Sequence, residues 1–177
     1  MSGRTVLLVV DVQELITNSR LYDSDRFMDS LRKLIDTARS SGTEVIYIRH
    51  DDGAGAALTR GADGYEISPE VCPAEGEKVF DKTVNSPFRE SGLLEYLRSK
   101  GKERIIVTGL QTEYCIDATV KCGFEHGFEV IVPEHCNTTT DNAYMTGEQT
   151  YRYYNEFIWK NRYAESVTAE EAAAMME

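Results

Sequence analysis

Thr5-Val6-Leu7-Leu8-Val9-Val10 is an unbroken apolar run, and Asp11 stands directly behind it. A strand with one wet face alternates apolar and polar side chains, so a run without alternation has to be covered on both faces. A parallel sheet between two layers of helices meets that need. The rest of the chain supplies the parts. Phe27, Leu31, Leu34, Ile35 and Ala38 recur at helical spacing, with Ser24 or Asp25 as the start and Gly42 as the stop. Glu44–Arg49 reads as a second strand and Lys78–Lys82 as a short third; Leu93, Leu94 and Leu97 mark a helix ending near Gly101. Ile105–Leu110 and Phe128–Val132 are further strands. A long aromatic-rich helix is predicted from about Asp141 to Trp159, followed by a strand near Ser166-Val167 and a last helix from Thr168. Strand and helix alternate, which predicts a single-domain, three-layer α/β/α fold over residues 1–177 with a mostly parallel, roughly six-stranded sheet.

Composition narrows the function. The 177 residues are enough for one domain with a substantial core. The net charge of −11, from 30 acidic against 19 basic residues, argues against a nucleic-acid partner, whose affinity comes from Lys and Arg on phosphates. It favours a neutral or cationic small molecule. No apolar run reaches the length of a membrane span, and no leader pattern precedes the first strand, so a cytoplasmic protein is expected. The four cysteines, Cys72, Cys115, Cys122 and Cys136, form no C-x-x-C pair, and reduced thiols are expected.

In a parallel sheet the site lies beyond the carboxyl ends of the strands. Asp11, His50, Lys82, the loop before Cys115, and Glu134-His135-Cys136 all follow strand ends. Residues 53–76, punctuated by Gly53, Gly55, Gly61, Gly64, Pro69, Pro73 and Gly76, read as a long irregular connection of the kind that is often functional. Cys115 falls where a strand turns into a helix, in the first helical turn, where unpaired N–H groups and the helix dipole favour a thiolate. It is the candidate nucleophile. Cys136 is its rival at a strand end, without an evident lysine partner in its loop.

Three segments carry a family resemblance: Leu8-Val9-Val10-Asp11-Val12-Gln13, Asp81-Lys82-Thr83 leading to Ser86-Pro87-Phe88, and Val107-Thr108-Gly109-Leu110-Gln111-Thr112-Glu113-Tyr114-Cys115. In this order and at these element ends, the chain resembles the isochorismatase-like cysteine hydrolases over nearly its whole length. The resemblance implies a catalytic triad of Asp11, Lys82 and Cys115. It implies a cis peptide at Leu110–Gln111 and an oxyanion hole from the Gln111 and Cys115 N–H groups. The roles agree with elementary chemistry. Asp11 can take the thiol proton and return it to a leaving amine, while Lys82 favours the thiolate and holds Asp11 charged.

Nicotinamidases of this superfamily carry an Asp-x-His with a second His several residues on. Here the region is His50-Asp51-Asp52-Gly53 and the next histidine is His126, so no catalytic metal and no cofactor are expected. Isochorismate ether hydrolases of the superfamily lack the nucleophilic cysteine, which sets that substrate aside. The resemblance is then to the metal-free amidase branch, which includes streptothricin hydrolases, and implies a small-molecule substrate cleaved at an amide or related C–N bond through a thioester. Gln13, His50, Asp51, Phe88 and Tyr114 are candidate pocket residues, with Tyr151 and Trp159 as candidates for touching substrate or a neighbouring subunit. Homo-oligomers are common in the family, so one is expected. The rival classes are a catalytically silent binding or redox-sensing protein of the same fold, and a dinucleotide-dependent oxidoreductase. Asp11-Val12-Gln13-Glu14 lacks the G-x-G-x-x-G that lets backbone approach a pyrophosphate, which disfavours the latter.

Overall fold

In the computed structural model, which describes residues 2–176, the N-terminal apolar run is the centre of the sheet. Strand β1 (Thr5–Val10) lies between β2 (Glu44–His50) and β4 (Arg104–Leu110). Outside β2 comes β3 (Lys78–Lys82); outside β4 come β5 (Glu129–Pro133) and then β7 (Glu165–Val167). The short β6 (Asn137–Thr138) pairs with the end of β4, making seven strands, all parallel to their neighbours. The strand beyond the roughly six expected is β6, whose two residues are too few to show a periodicity.

Successive side chains on β1 go to opposite faces, as the pleat requires. Leu7 and Val9 pack with Phe27, Leu31, Ile35 and Ala38 of α1 (Ser24–Ser41) and Ala172 of α5 (Ala169–Ala174). Val6, Leu8 and Val10 pack with Leu93 and Leu97 of α2 (Leu93–Ser99) and with Ile116 and Val120, the latter in α3 (Asp117–Glu125). Two cores, one per face, explain why the run could not alternate.

The long C-terminal helix predicted from Asp141 is shorter. Helix α4 spans Gly147–Arg152 and continues as a π-helical turn over Tyr153–Ile158. Before it, the Asn142 side chain accepts the backbone N–H groups of Tyr144 and Met145, and Thr146 with Gln149 forms a capping box. Side chains that satisfy backbone donors in this way compete with the helix and fix its start.

Residues 53–76 are irregular apart from a short 3-10 turn at Pro69–Val71, yet firmly seated. Leu58, Tyr65, Ile67 and Val71 are buried. Asp81 of β3 accepts from Arg49 and from the Tyr65 hydroxyl and pairs with Arg60, tying the connection to the sheet.

Gly109 sits opposite Val10 near the ends of β4 and β1, at φ +121°, and a Cβ there would lie 1.9 Å from the Val10 carbonyl oxygen. Only glycine lets the two strand ends approach so closely. Gly109→Ala is expected to lower stability by about 4 kcal/mol or prevent folding, measured by urea unfolding; a loss within roughly 0.5 kcal/mol would show that the strand ends can separate freely.

Candidate active site

Asp11, the residue after β1, has φ +55°, a left-handed conformation that aspartate tolerates better than most side chains. Its N–H donates to the Ile48 carbonyl at 3.0 Å, so the turn out of β1 is fixed by β2. Lys82 ends β3 in register with His50, which ends β2. Three strand ends therefore deliver an acid, an imidazole and an amine to one place. Lys82 and Asp11 are each 2 % exposed.

The Lys82 ammonium lies at the centre. Its Nζ donates to Asp11 Oδ2 at 2.7 Å, His50 Nδ1 at 2.8 Å and Cys115 Sγ at 3.1 Å. An ammonium has three protons, and each has an acceptor here. The acceptor role of Nδ1 assigns the proton of a neutral His50 ring to Nε2, which lies 2.9 Å from Asp52 Oδ1. Asp11 Oδ1 is buried and has no hydrogen-bond partner among the described residues. It is a lone pair available to a proton from the thiol.

Cys115 is in a π-helical turn over Thr112–Ile116, ahead of α3, which begins at Asp117. This differs from the expected first turn of a regular helix. The turn is clamped by side chains that no periodicity reveals. The Thr112 hydroxyl donates to Asn137 Oδ1, Asn137 and Asn155 exchange amide hydrogen bonds, and Thr119 Oγ1 donates to the Cys115 carbonyl. The Leu110–Gln111 peptide is cis. The Gln111 carbonyl accepts from the N–H groups of Tyr114 and Ile116.

Burial works against the thiolate that the helix start and Lys82 favour. Burial, followed by the charge of Asp11, pushes the Cys115 thiol up to about 12, and the Lys82 charge opposes this without overcoming it. Burial likewise raises the Asp11 carboxyl, against the pull of Lys82. Burial and the Asp11 charge therefore favour the protonated sulfur, with Lys82 pulling the other way. The Sγ lies 3.7 Å from Asn85 Oδ1, a weak contact to a residue that sequence reading placed only in a turn.

Asp11, His50 and Cys115 place one ligand atom each within 4.8 Å of one another, a grouping that could hold a metal ion. All three already accept from the Lys82 ammonium. A dication there would have to displace a buried cation that its own donors hold, so the donor set fits the lysine better than a metal.

The remaining candidates are placed as follows. Gln13 is fully buried; its amide donates to the His50 and Tyr65 carbonyls and accepts from the His50 N–H. It pins the rim together and leaves no surface for a ligand. Asp51 Oδ1 accepts from the Gly53 N–H and the Thr59 hydroxyl, contacts that hold its carboxyl below the usual range and close the turn out of β2. Phe88 is buried against Phe128 and His126. Tyr114 is 52 % exposed beside the nucleophile. Trp159 is fully buried with its Nε1 donating to Asp117, and the Tyr151 hydroxyl accepts the His135 N–H, so both serve packing. Cys136 is fully buried, and burial pushes its thiol up to about 12 without a cation to oppose it. A cleft of about 580 Å³ lies on the Gln111 side, walled by Leu15, Ile16, Asn18, Arg20, Thr140 and Asp141.

The sequence model described as the Isochorismatase domain matches residues 5–158. The chain belongs to the isochorismatase family. Streptothricin hydrolase of Streptomyces noursei is 31 % identical over 137 residues, which are 76 % of this chain and 50 % of that protein, so the chain spans half the length of that relative. Ureidoacrylate amidohydrolase RutB of Caulobacter vibrioides is 25 % identical over 158 residues, covering 68 % of this chain and 70 % of that one. The isochorismatase fold is matched across the chain by the crystal structure of a cysteine hydrolase from Pseudomonas syringae pv. phaseolicola, at a TM-score of 0.91 and 22 % identity over 99 % of this chain and 93 % of that one.

The raised thiol makes a prediction for this isochorismatase-family site. The folded state keeps a proton that the unfolded chain loses above its ordinary value of 9.0, so this group's contribution to stability is present below that value and is lost as pH rises toward about 12. The thiolate absorbance of wild type minus Cys115→Ser should stay flat across neutral pH and rise only in alkali. A step near neutrality would mean that Lys82 outweighs burial.

Proposed function

We propose that the protein is a cysteine hydrolase of an amide or related C–N bond in a small molecule, with Asp11, Lys82 and Cys115 as its catalytic residues. The observation that carries this reading is the single buried ammonium bonded to both the carboxylate and the sulfur. The names of the relatives support the bond type: one is a streptothricin hydrolase and another an amidohydrolase.

The steps follow from the neutral resting thiol. As Sγ attacks the amide carbonyl carbon, its proton passes to Asp11, whose Oδ1 is unpartnered. Lys82 compensates the negative charge that would otherwise collect on sulfur and carboxylate together. The carbonyl oxygen becomes an oxyanion, for which the Gln111 and Cys115 N–H groups are the proposed donors. Collapse breaks the C–N bond, and Asp11 returns the proton to the departing nitrogen. Water then attacks the thioester, giving its proton to Asp11; the acid product leaves and the thiol is restored. Neither metal nor cofactor enters this reading. The cleft beside Gln111 would receive the substrate, with Arg20 and Asp141 on its wall.

Incubation with a panel of small amides and ureido acids, read by amine or ammonia release, should find turnover that Cys115→Ala and Asp11→Asn lower by roughly 10³-fold. The wild-type rate should rise with pH through the raised Asp11 value, since the base must be ionised to accept a proton. Full turnover in Cys115→Ala would end this mechanism.

The same reading includes a homo-oligomer in a reducing compartment. No helix among the described residues is long and apolar enough to cross a membrane, and all four cysteines are unpaired. Tyr144, Tyr153 and Phe157 are 95 %, 44 % and 71 % exposed and line one groove, an apolar surface suited to a second copy. Sedimentation should show an oligomer in wild type that Tyr144→Ser with Phe157→Ser shifts toward monomer. A wild-type monomer at micromolar concentration would remove this part of the proposal.

A further inference from the structure

The triad accounts for two of the three bonds that Lys82 makes. The third goes to His50, a residue expected at the sequence level to meet substrate. The ring has no nitrogen to offer a ligand, because Nδ1 accepts from Lys82 and Nε2 lies against Asp52. Its backbone is held as tightly. The fully buried Gln13 takes the His50 N–H at 2.8 Å and gives its own amide N–H to the His50 carbonyl at 3.1 Å. Asp52 is fixed in turn by its N–H to the Leu58 carbonyl at 2.9 Å.

We infer that His50, oriented by Asp52, is a positioning residue that holds the Lys82 ammonium between Asp11 and Cys115. This rests on the proposed triad and deepens it. A lysine side chain is long and flexible, and two acceptors on one side leave its head free to swing about them. A third acceptor from the neighbouring strand β2 fixes the tetrahedral head, so the remaining two protons must point at carboxylate and sulfur. The imidazole suits this task because its Nδ1 can present a lone pair without bringing a negative charge. A carboxylate in its place would add a second anion to a site whose sulfur has yet to become one. Asp52 selects the tautomer by accepting at Nε2, leaving Nδ1 bare for the ammonium. Without His50 one proton of a buried cation has no partner, and the head is drawn toward the water beyond Asp52, away from the sulfur.

Carbamidomethylation of Cys115 by iodoacetamide at neutral pH, read on its peptide by mass spectrometry, tests this without a known substrate. The full-length wild type, His50→Ala, His50→Asn, Asp52→Ala and Lys82→Met are compared, with thermal unfolding measured for each. His50→Ala should slow Cys115 modification by about tenfold while remaining folded. His50→Asn, whose Oδ1 offers an acceptor close to the place of Nδ1, should recover most of the rate, and Asp52→Ala should fall between. On any amide that is turned over, the loss should appear in kcat with KM unchanged. If His50→Ala matches wild type, if His50→Asn is as slow as His50→Ala, or if only KM moves, His50 does not position the lysine. If Lys82→Met reacts as fast as wild type, the triad itself fails. The His50 comparison alone, with Lys82→Met slow, isolates the present inference.

Discussion

A buried ammonium must spend every proton on an acceptor, and much of this structure can be read as the means of satisfying Lys82. Its three acceptors come from the end of β1, the end of β2 and the turn after β4, and the lysine itself ends β3. Four strands have to finish at one level for that to happen. The sheet order, with β1 between β2 and β4, puts them side by side. The cost of desolvating the charge is thus met by geometry that the sheet already provides. The same burial pushes the Cys115 thiol up, against the charge of Lys82.

Strand ends meet only because backbone lets them. Gly109 allows β4 to close on β1 where any Cβ would collide with the Val10 carbonyl, and three residues later the chain enters the π-helical turn that carries Cys115. That turn is in turn gripped from the far side of the domain. Asn137 after β5, Asn155 in the C-terminal π-helical turn and Trp159 on Asp117 form a polar and aromatic brace beneath it. The C-terminal third of the chain contributes no residue to the cluster around Lys82, yet it supports the element that carries the Cys115 sulfur.

Much of this was legible in the amino-acid sequence. Unalternating runs such as Thr5–Val10 announce a sheet covered on both faces, and polar residues directly behind such runs, Asp11, His50 and Lys82, announce its active rim. What stayed hidden has a common physical cause. A polar side chain at a strand end looks the same in sequence whether it faces a ligand or the backbone beside it. Gln13 and Asp51 face backbone and His50 faces Lys82, three uses decided by rotamers and loop paths. The π-helical turn at Cys115 keeps the apolar spacing of an α-helix over too few residues to betray its wider pitch. The late start of the long helix depended on the Asn142 side chain capturing backbone N–H groups, a local competition that periodicity does not record.

Asp81 and Lys82 are neighbours on β3, an edge strand that pairs only with β2. Asp81 faces away from the triad and moors the 53–76 connection through Arg49, Arg60 and Tyr65, while Lys82 enters the buried cluster. Because side chains alternate with period two, sliding β3 by one residue would send the carboxylate inward and the ammonium out. An anion would then stand among Asp11 and the sulfur, and the loop would lose its mooring in the same motion. The edge strand therefore has one usable register, proofread from both sides by opposite charges: a slip that frees the 53–76 connection from Asp81 also takes the Lys82 ammonium out of its cluster.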